Sequence, residues 1–130
     1  MLASHPIDPM ILATDLAVAR EFYGDRIGLE ILIESDSFLT FRCGGDSRLV
    51  VTRSSTGTSE GQTKASWRVS DLAAELAELR SRGVDVEEYD EPGLQTVDGI
   101  ADVGFALSAW FVDPHGNSIA LLQFKGAEAN

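Results

Sequence analysis

A single cysteine, two histidines and no long apolar run bound what this sequence of 130 residues can be. Cys43 has no partner for an internal disulfide, so a reducing, cytoplasmic setting is the expectation. No apolar stretch approaches the roughly 20 residues that a membrane helix needs. The opening MLASHPIDPM has no basic segment followed by an apolar one, so it does not read as a signal peptide. Basic residues are scarce. Lys and Arg together number 10 against 21 Asp and Glu, a net charge of −11. Such a surface repels phosphate backbones and anionic lipid, so neither nucleic acid nor membrane is an expected partner. The acidity is first of all a solubility device. Missing too are a G-x-S-x-G elbow, a phosphate-cradling glycine loop and zinc-type Cys/His spacing. No histidine is placed to activate Cys43, which reads as a small buried hydrophobe.

Hydrophobic residues make up 44% and charged residues 24%, which suits one globular domain with a real core. Ile7 to Ala13 is short and apolar, and reads as a strand. Thr14 or Asp15 can cap a helix, because a short oxygen-bearing side chain accepts from the free N–H groups of a first helical turn. Leu16, Ala19, Phe22 and Tyr23 recur at helical spacing, predicting a helix over Asp15 to Arg26 that Gly28 ends. Strands are expected next at Leu29 to Glu34, Phe38 to Cys43 and Arg48 to Arg53, with a tight turn at Gly44-Gly45-Asp46.

The polar run Ser54 to Gln62 reads as a linker, and after it the order begins again. Ala65 to Val69 is an expected strand. Ser70 or Asp71 caps a helix with the apolar stripe Leu72, Leu76 and Leu79, ending at Gly83. Val84 to Tyr89 is an expected strand, Glu91 to Asp102 an irregular loop, Phe105 to Val112 and Ser118 to Phe124 the last two strands. Lys125 to Asn130 is an expected loose tail. The repeat is visible in residues. Asp15-Leu16-Ala17 echoes Asp71-Leu72-Ala73, and Gly45-Asp46-Ser47 before one strand echoes Gly116-Asn117-Ser118 before another. The expected architecture is α+β: a βαβββ module at 6–54, a linker at 55–63 and a second βαβββ module at 64–125. Each module buries one sheet face under its helix, and the two remaining faces are expected to form a cupped mixed β-sheet, a default ligand site.

Asp15-Leu16 leading to Glu21-Phe22-Tyr23, then Ile27-Gly28-Leu29, resembles the first helix of the vicinal oxygen chelate superfamily. Trp110-Phe111-Val112-Asp113-Pro114-His115-Gly116-Asn117 is similar to that superfamily's F-x-D-P-x-G-N turn before the last strand. With the repeat, the resemblance spans nearly the whole chain. It implies the glyoxalase / bleomycin-resistance / extradiol-dioxygenase fold, whose members include lyases, dioxygenases and non-catalytic drug-binding proteins. It also implies four positions for metal ligands. Counting back seven residues from Asp15 and Asp71 reaches Asp8 and Lys64, and counting on four from Gly45 and Gly116 reaches Leu49 and Ala120. A catalytic divalent site needs about three lone-pair donors, and this set supplies one. No metal and no other cofactor is therefore expected. The two histidines do not repair the set: His5 precedes the first strand and His115 falls in a turn, where solvent exposure is expected.

The expected substitute is an Asp8–Lys64 pair, which would neutralise the vacated position. Alternation along strands then places Met10 with Asp8, Ser66 and Arg68 with Lys64, Val51 and Arg53 with Leu49, and Leu122 with Ala120. Trp110 lines either the cup or a dimer interface, and Trp67, on the other face from Lys64, belongs to the core. Lys64 and Arg68 can equally be solvated residues at a strand start, and Asp8 a turn residue before Pro9. The function expected is small-molecule binding in a homodimer of the bleomycin-resistance branch. A metal-dependent glyoxalase-type lyase or dioxygenase is the alternative, and a scaffold subunit with filled sheet faces is a third reading.

Overall fold

The computed structural model describes residues 1–56 and 62–126, so most of the expected linker lies outside the described residues, as does all but Lys125 and Gly126 of the expected tail. The chain divides into two compact units: Met1–Lys64 with Pro114–Asn117, and Ala65–Asp113 with Ser118–Asn130.

The first unit holds β1 (Met10–Ala13), α1 (Leu16–Ala19), β2 (Glu30–Glu34), β3 (Phe38–Arg42) and β4 (Arg48–Arg53). Its sheet has the order β1-β4-β3-β2, with β1 parallel to β4 and the other neighbours antiparallel. Asp15 caps α1, its carboxylate accepting from the backbone N–H groups of Ala17 and Val18. The predicted helix over Asp15 to Arg26 changes character partway: Arg20–Arg26 is a π-helix. The N–H of Ile27 reaches the carbonyl of Phe22, five residues back, at 2.9 Å. That wider turn sets both Phe22 and Tyr23 into the core, where they meet edge to face. Tyr23 continues onto Phe41 of β3, with centroids 5.9 Å apart.

The contacts of this helical segment fix which sheet face is buried. A side chain added at Gly24 would meet Phe41 and Ile31, so those residues point at the helix. Phe41 pairs in register with Leu49, Leu39 with Val51, and Val51 with Ile11. All five are buried. Side chains alternate, so the opposite face carries Asp8, Met10 and Leu12 of the β1 segment, Arg48, Val50 and Thr52 of β4, and Phe38, Thr40 and Arg42 of β3.

The second unit holds β5 (Thr63–Arg68) from Ala65 on, α2 (Leu72–Ser81), the short hairpin β6 (Asp90–Glu91) and β7 (Leu94–Gln95), β8 (Ala101–Asp102), β9 (Ala106–Val112) and β10 (Ser118–Phe124). Its main sheet has the order β5-β10-β9-β8. Asp71 caps α2 by accepting from the N–H of Ala74, and Leu72, Leu76 and Leu79 are buried as the stripe predicts. The Gln123 side-chain oxygen accepts from the N–H of Leu72 at 2.7 Å, which sets Gln123, Leu121 and Ile119 on the helix side. Phe111, the partner of Ile119, stacks with Trp67 at 6.3 Å. Trp67 is thus on the helix-covered side.

The strand expected over Val84 to Tyr89 is not formed. Here the chain makes one sheet bond, from the N–H of Glu87 to the carbonyl of Trp110 at 2.8 Å. The place beside β9 is taken by β8, from within the expected loop. The Glu88 carboxylate accepts from the Thr96 hydroxyl and the Gly99 N–H. Those bonds fold 88–100 back on itself, and alternation alone carries no sign of them.

Candidate functional site

Each unit covers one sheet face with its helix and leaves the other free of helix. In the first unit that second face has a charged end and an apolar middle. The charged end is a row of four residues across four strands. Glu30 pairs in register with Arg42, and Arg42 with Arg48. Asp8, two residues before the Met10 that pairs with Val50, falls beside Arg48. Arg42 donates through Nε to Glu30 Oε1 at 3.1 Å, and Arg48 Nε lies 3.7 Å from Asp8 Oδ2. The other Asp8 oxygen, Oδ1, is buried with no hydrogen-bond partner among the described residues. The middle is mostly apolar, with Met10, Leu12, Ile33, Phe38 and Val50 set around Thr40 and Thr52. Met10 is 65% exposed and Ile33 44%. Apolar side chains so exposed on a sheet face are an interaction surface rather than core. At the charged end a cavity of about 530 Å³ opens, lined by Arg42 and Arg48, by Leu32 and Ile33, and by the Gly45–Ser47 turn.

In the second unit the helix-free face presents Trp110, Ser108 and Ala106 from β9 with Ser118, Ala120 and Leu122 from β10. Trp110 meets Tyr89 edge to face at 5.5 Å. Burial first, then the carboxylates of Glu87 and Glu91, push the Tyr89 phenol above its usual pKa. Another cavity of this unit, about 670 Å³, is lined by Leu94, Val97, Ile100, Asp102 and Leu107.

The sequence-predicted residues separate accordingly. Asp8 and Met10 lie on the helix-free face of the first unit, with Asp8 half-buried. Leu49 and Val51 do not: they are 2% and 0% exposed, in the core under the helix. Arg53 shares their parity and is exposed at the strand end. The counting is off by one residue on β4, and in a pleated strand one residue exchanges the faces. By hairpin register Val50 is the counterpart of Ala120, and Arg48 and Thr52 share its face. The expected Asp8–Lys64 pair is replaced by Asp8–Arg48. In the second unit Ser66, Arg68, Trp110, Ala120 and Leu122 all lie away from α2, with Ser66 and Arg68 exposed. Lys64, at the boundary between the units, is half-buried on that same side of β5. His115, expected in solvent, is half-buried, and its Nε2 accepts from the N–H of Asp15. Arg42 and Ile33 were not anticipated. The signal for Arg42 was its spacing from the Gly44-Gly45 turn, which sets it opposite Arg48.

The positions implied for metal ligands do not fit a metal. Leu49 is in the core, Ala120 has no donor atom, Lys64 carries a cation of its own, and Asp8 already faces Arg48. Among the described residues no three His, Cys, Asp or Glu side chains converge closely enough to hold an ion. No described helix is long and apolar enough to cross a membrane.

No protein-family model and no curated protein matches the chain. Solved structures do. One is TnmS3, an antibiotic binding protein from Streptomyces sp. CB03234, 27% identical, with a TM-score of 0.72 over 96% of this chain and 99% of that one. A bleomycin resistance determinant encoded on the transposon Tn5 is 19% identical, with a TM-score of 0.72 over 95% of this chain and all of that one. A lactoylglutathione lyase from Agrobacterium tumefaciens is 20% identical, with a TM-score of 0.65 over 92% of each chain. The fold is that of the glyoxalase/bleomycin-resistance proteins, consistent with the vicinal oxygen chelate superfamily.

Proposed function

We propose that the chain is a small-molecule-binding protein of the bleomycin-resistance-like branch, with the family's metal site degenerate. The observation that carries this reading is the helix-free face of the first unit. It exposes Met10, Leu12 and Ile33 beside a half-buried, incompletely satisfied Asp8. Apolar walls with a few placed polar groups bind organic molecules by burial and orient them by charge. In the second unit Trp110 and Leu122 are part-exposed beside the buried Ala120, with Ser66 and Arg68 as polar groups on the same side; Lys64, of the first unit, remains a candidate by its place on that strand. The likeness to an antibiotic binding protein over 96% of this chain supports small-molecule binding. Exposed apolar sheet surface also favours a homodimer in solution. A reducing, cytoplasmic setting stays part of the reading because Cys43 is the sole cysteine.

The test is a thermal-shift panel of antibiotics, bleomycin included, run in the presence of a chelator. Binding to the native state raises the melting temperature by mass action. A saturable, metal-independent rise is expected. Nickel- or zinc-dependent turnover in a glyoxalase-type lyase assay would replace this reading with the enzymatic one. Light scattering across a concentration series reads the oligomeric state.

A further inference from the structure

Two arginines stand directly opposite each other on neighbouring strands. Arg42 of β3 and Arg48 of β4 are register partners on the helix-free face. Partners of this kind have Cβ atoms about 5 Å apart, and like charges so placed repel. A chain with 10 basic residues against 21 acidic ones had every opportunity to put an acid at one of these positions. It put its acids outside instead. Glu30 flanks Arg42 and Asp8 flanks Arg48, each meeting its arginine at Nε.

That arrangement has a directional consequence. A guanidinium held at Nε keeps its Nη donors for another acceptor, and its planar fork suits a carboxylate, phosphate or sulfonate. Both arginines line the cavity of about 530 Å³, together with Leu32 and Ile33. From Ile33 the row crosses the buried Thr40 to Val50 and Met10, with Leu12 next along the first strand. One carboxylate, Asp46, also lines the cavity and opposes an anion there.

We infer that the Arg42–Arg48 pair receives the anionic group of an amphipathic organic ligand whose apolar body lies over Ile33, Val50 and Met10. The inference rests on the small-molecule reading above and adds the class of ligand: an aromatic or aliphatic carboxylate, phosphate or sulfonate. The chain's net charge of −11 slows the approach of such a ligand at low salt. At physiological ionic strength the Debye length is about 8 Å, which screens the distant acids but not Glu30, Asp8 and Asp46, so recognition rests on the directed Nη donors and not on net local charge.

Two dyes of nearly the same shape test it on the intact chain. One is 1-anilinonaphthalene-8-sulfonate, the other its neutral analogue N-phenyl-1-naphthylamine. The sulfonate is expected to bind saturably, one per chain, and more tightly than the neutral dye. In R42Q/R48Q its affinity falls roughly ten-fold, tenfold being 1.4 kcal/mol, while the neutral dye is unaffected. D46N tightens the sulfonate about two-fold by removing an opposing charge. The single variant R42Q, which leaves the Asp8–Arg48 contact in place, guards against a folding defect, with far-UV circular dichroism and melting temperature unchanged. Equal binding of both dyes, insensitive to either arginine, overturns the anion site and leaves the apolar face standing. Failure of both dyes to bind overturns the face and the anion site together.

Discussion

His115 Nε2 accepts a hydrogen bond from the backbone N–H of Asp15 at 3.2 Å, across a sequence separation of 100 residues. In the same turn, Asn117 donates through Nδ2 to the carbonyl of Leu12 at 2.8 Å. Pro114–Asn117 of this turn therefore fastens the end of β1 and the start of α1, within the first compact unit. Its most recognisable residues hold structure, which is why such a motif reports fold and not activity.

Asn117 is buried, so its loss leaves the Leu12 carbonyl without that donor. N117A is expected to cost about 1–3 kcal/mol. H115A is expected to cost less, about 0.5–1.5 kcal/mol, because water can reach the half-buried site. Urea denaturation of the two variants checks the order.

The face assignment on β4 predicts opposite outcomes for adjacent residues. L49A empties core space and is expected to cost about 2–5 kcal/mol. V50A, on the helix-free face, is expected to cost under about 1 kcal/mol and to weaken ligand or dye binding instead. Equal stability losses would return the strand to the other register.

Gly99 has φ of +83°, and a side chain there would come within 2.6 Å of Val86 and 2.9 Å of the Arg80 guanidinium. G99A is expected to destabilise by about 1–3 kcal/mol from backbone strain, with the contact to Val86 adding to it. Chemical denaturation reads the loss, and hydrogen exchange at Thr96 and Gly99 shows whether it is local to 88–100.

The hydrogen bond from Thr96, then that from Gly99, hold the Glu88 carboxyl below its ordinary value of 4.5. The bond from Lys125 and then that from Gly104 lower Asp102 below 3.8. A carboxyl with a lowered folded pKa stabilises above its unfolded value and loses that contribution as pH falls through the folded one. Acid unfolding should therefore begin below about pH 4.5 and be shallower in E88Q. Melting temperature across pH 2–6 measures it.

Nickel, zinc, manganese and iron are each expected to leave the melting temperature without a saturable rise. Near-stoichiometric metal in protein purified without chelators would mean a ligand set formed by residues other than Asp8, Lys64, Leu49 and Ala120.

Local patterning accounts for most of the fold. Apolar periodicity, Asp15 and Asp71 as caps, and the Gly45 turn placed both helices and the strands of the first unit, because these signals act over a few residues. The resemblance to the superfamily came from two short motifs, and the solved structures have the same fold. Three matters were decided only by tertiary structure. The face of β4 depends on which side Tyr23 and Phe41 close upon, and a continuous apolar run such as Leu49-Val50-Val51 reads well either way. The strand expected at Val84 to Tyr89 is not formed, and there Glu88 bonds to Thr96 and Gly99 farther along the chain. The Arg42–Arg48 row exists only once β3 and β4 take their register. Periodicity specifies that a residue alternates; what it alternates toward depends on partners brought together by the fold.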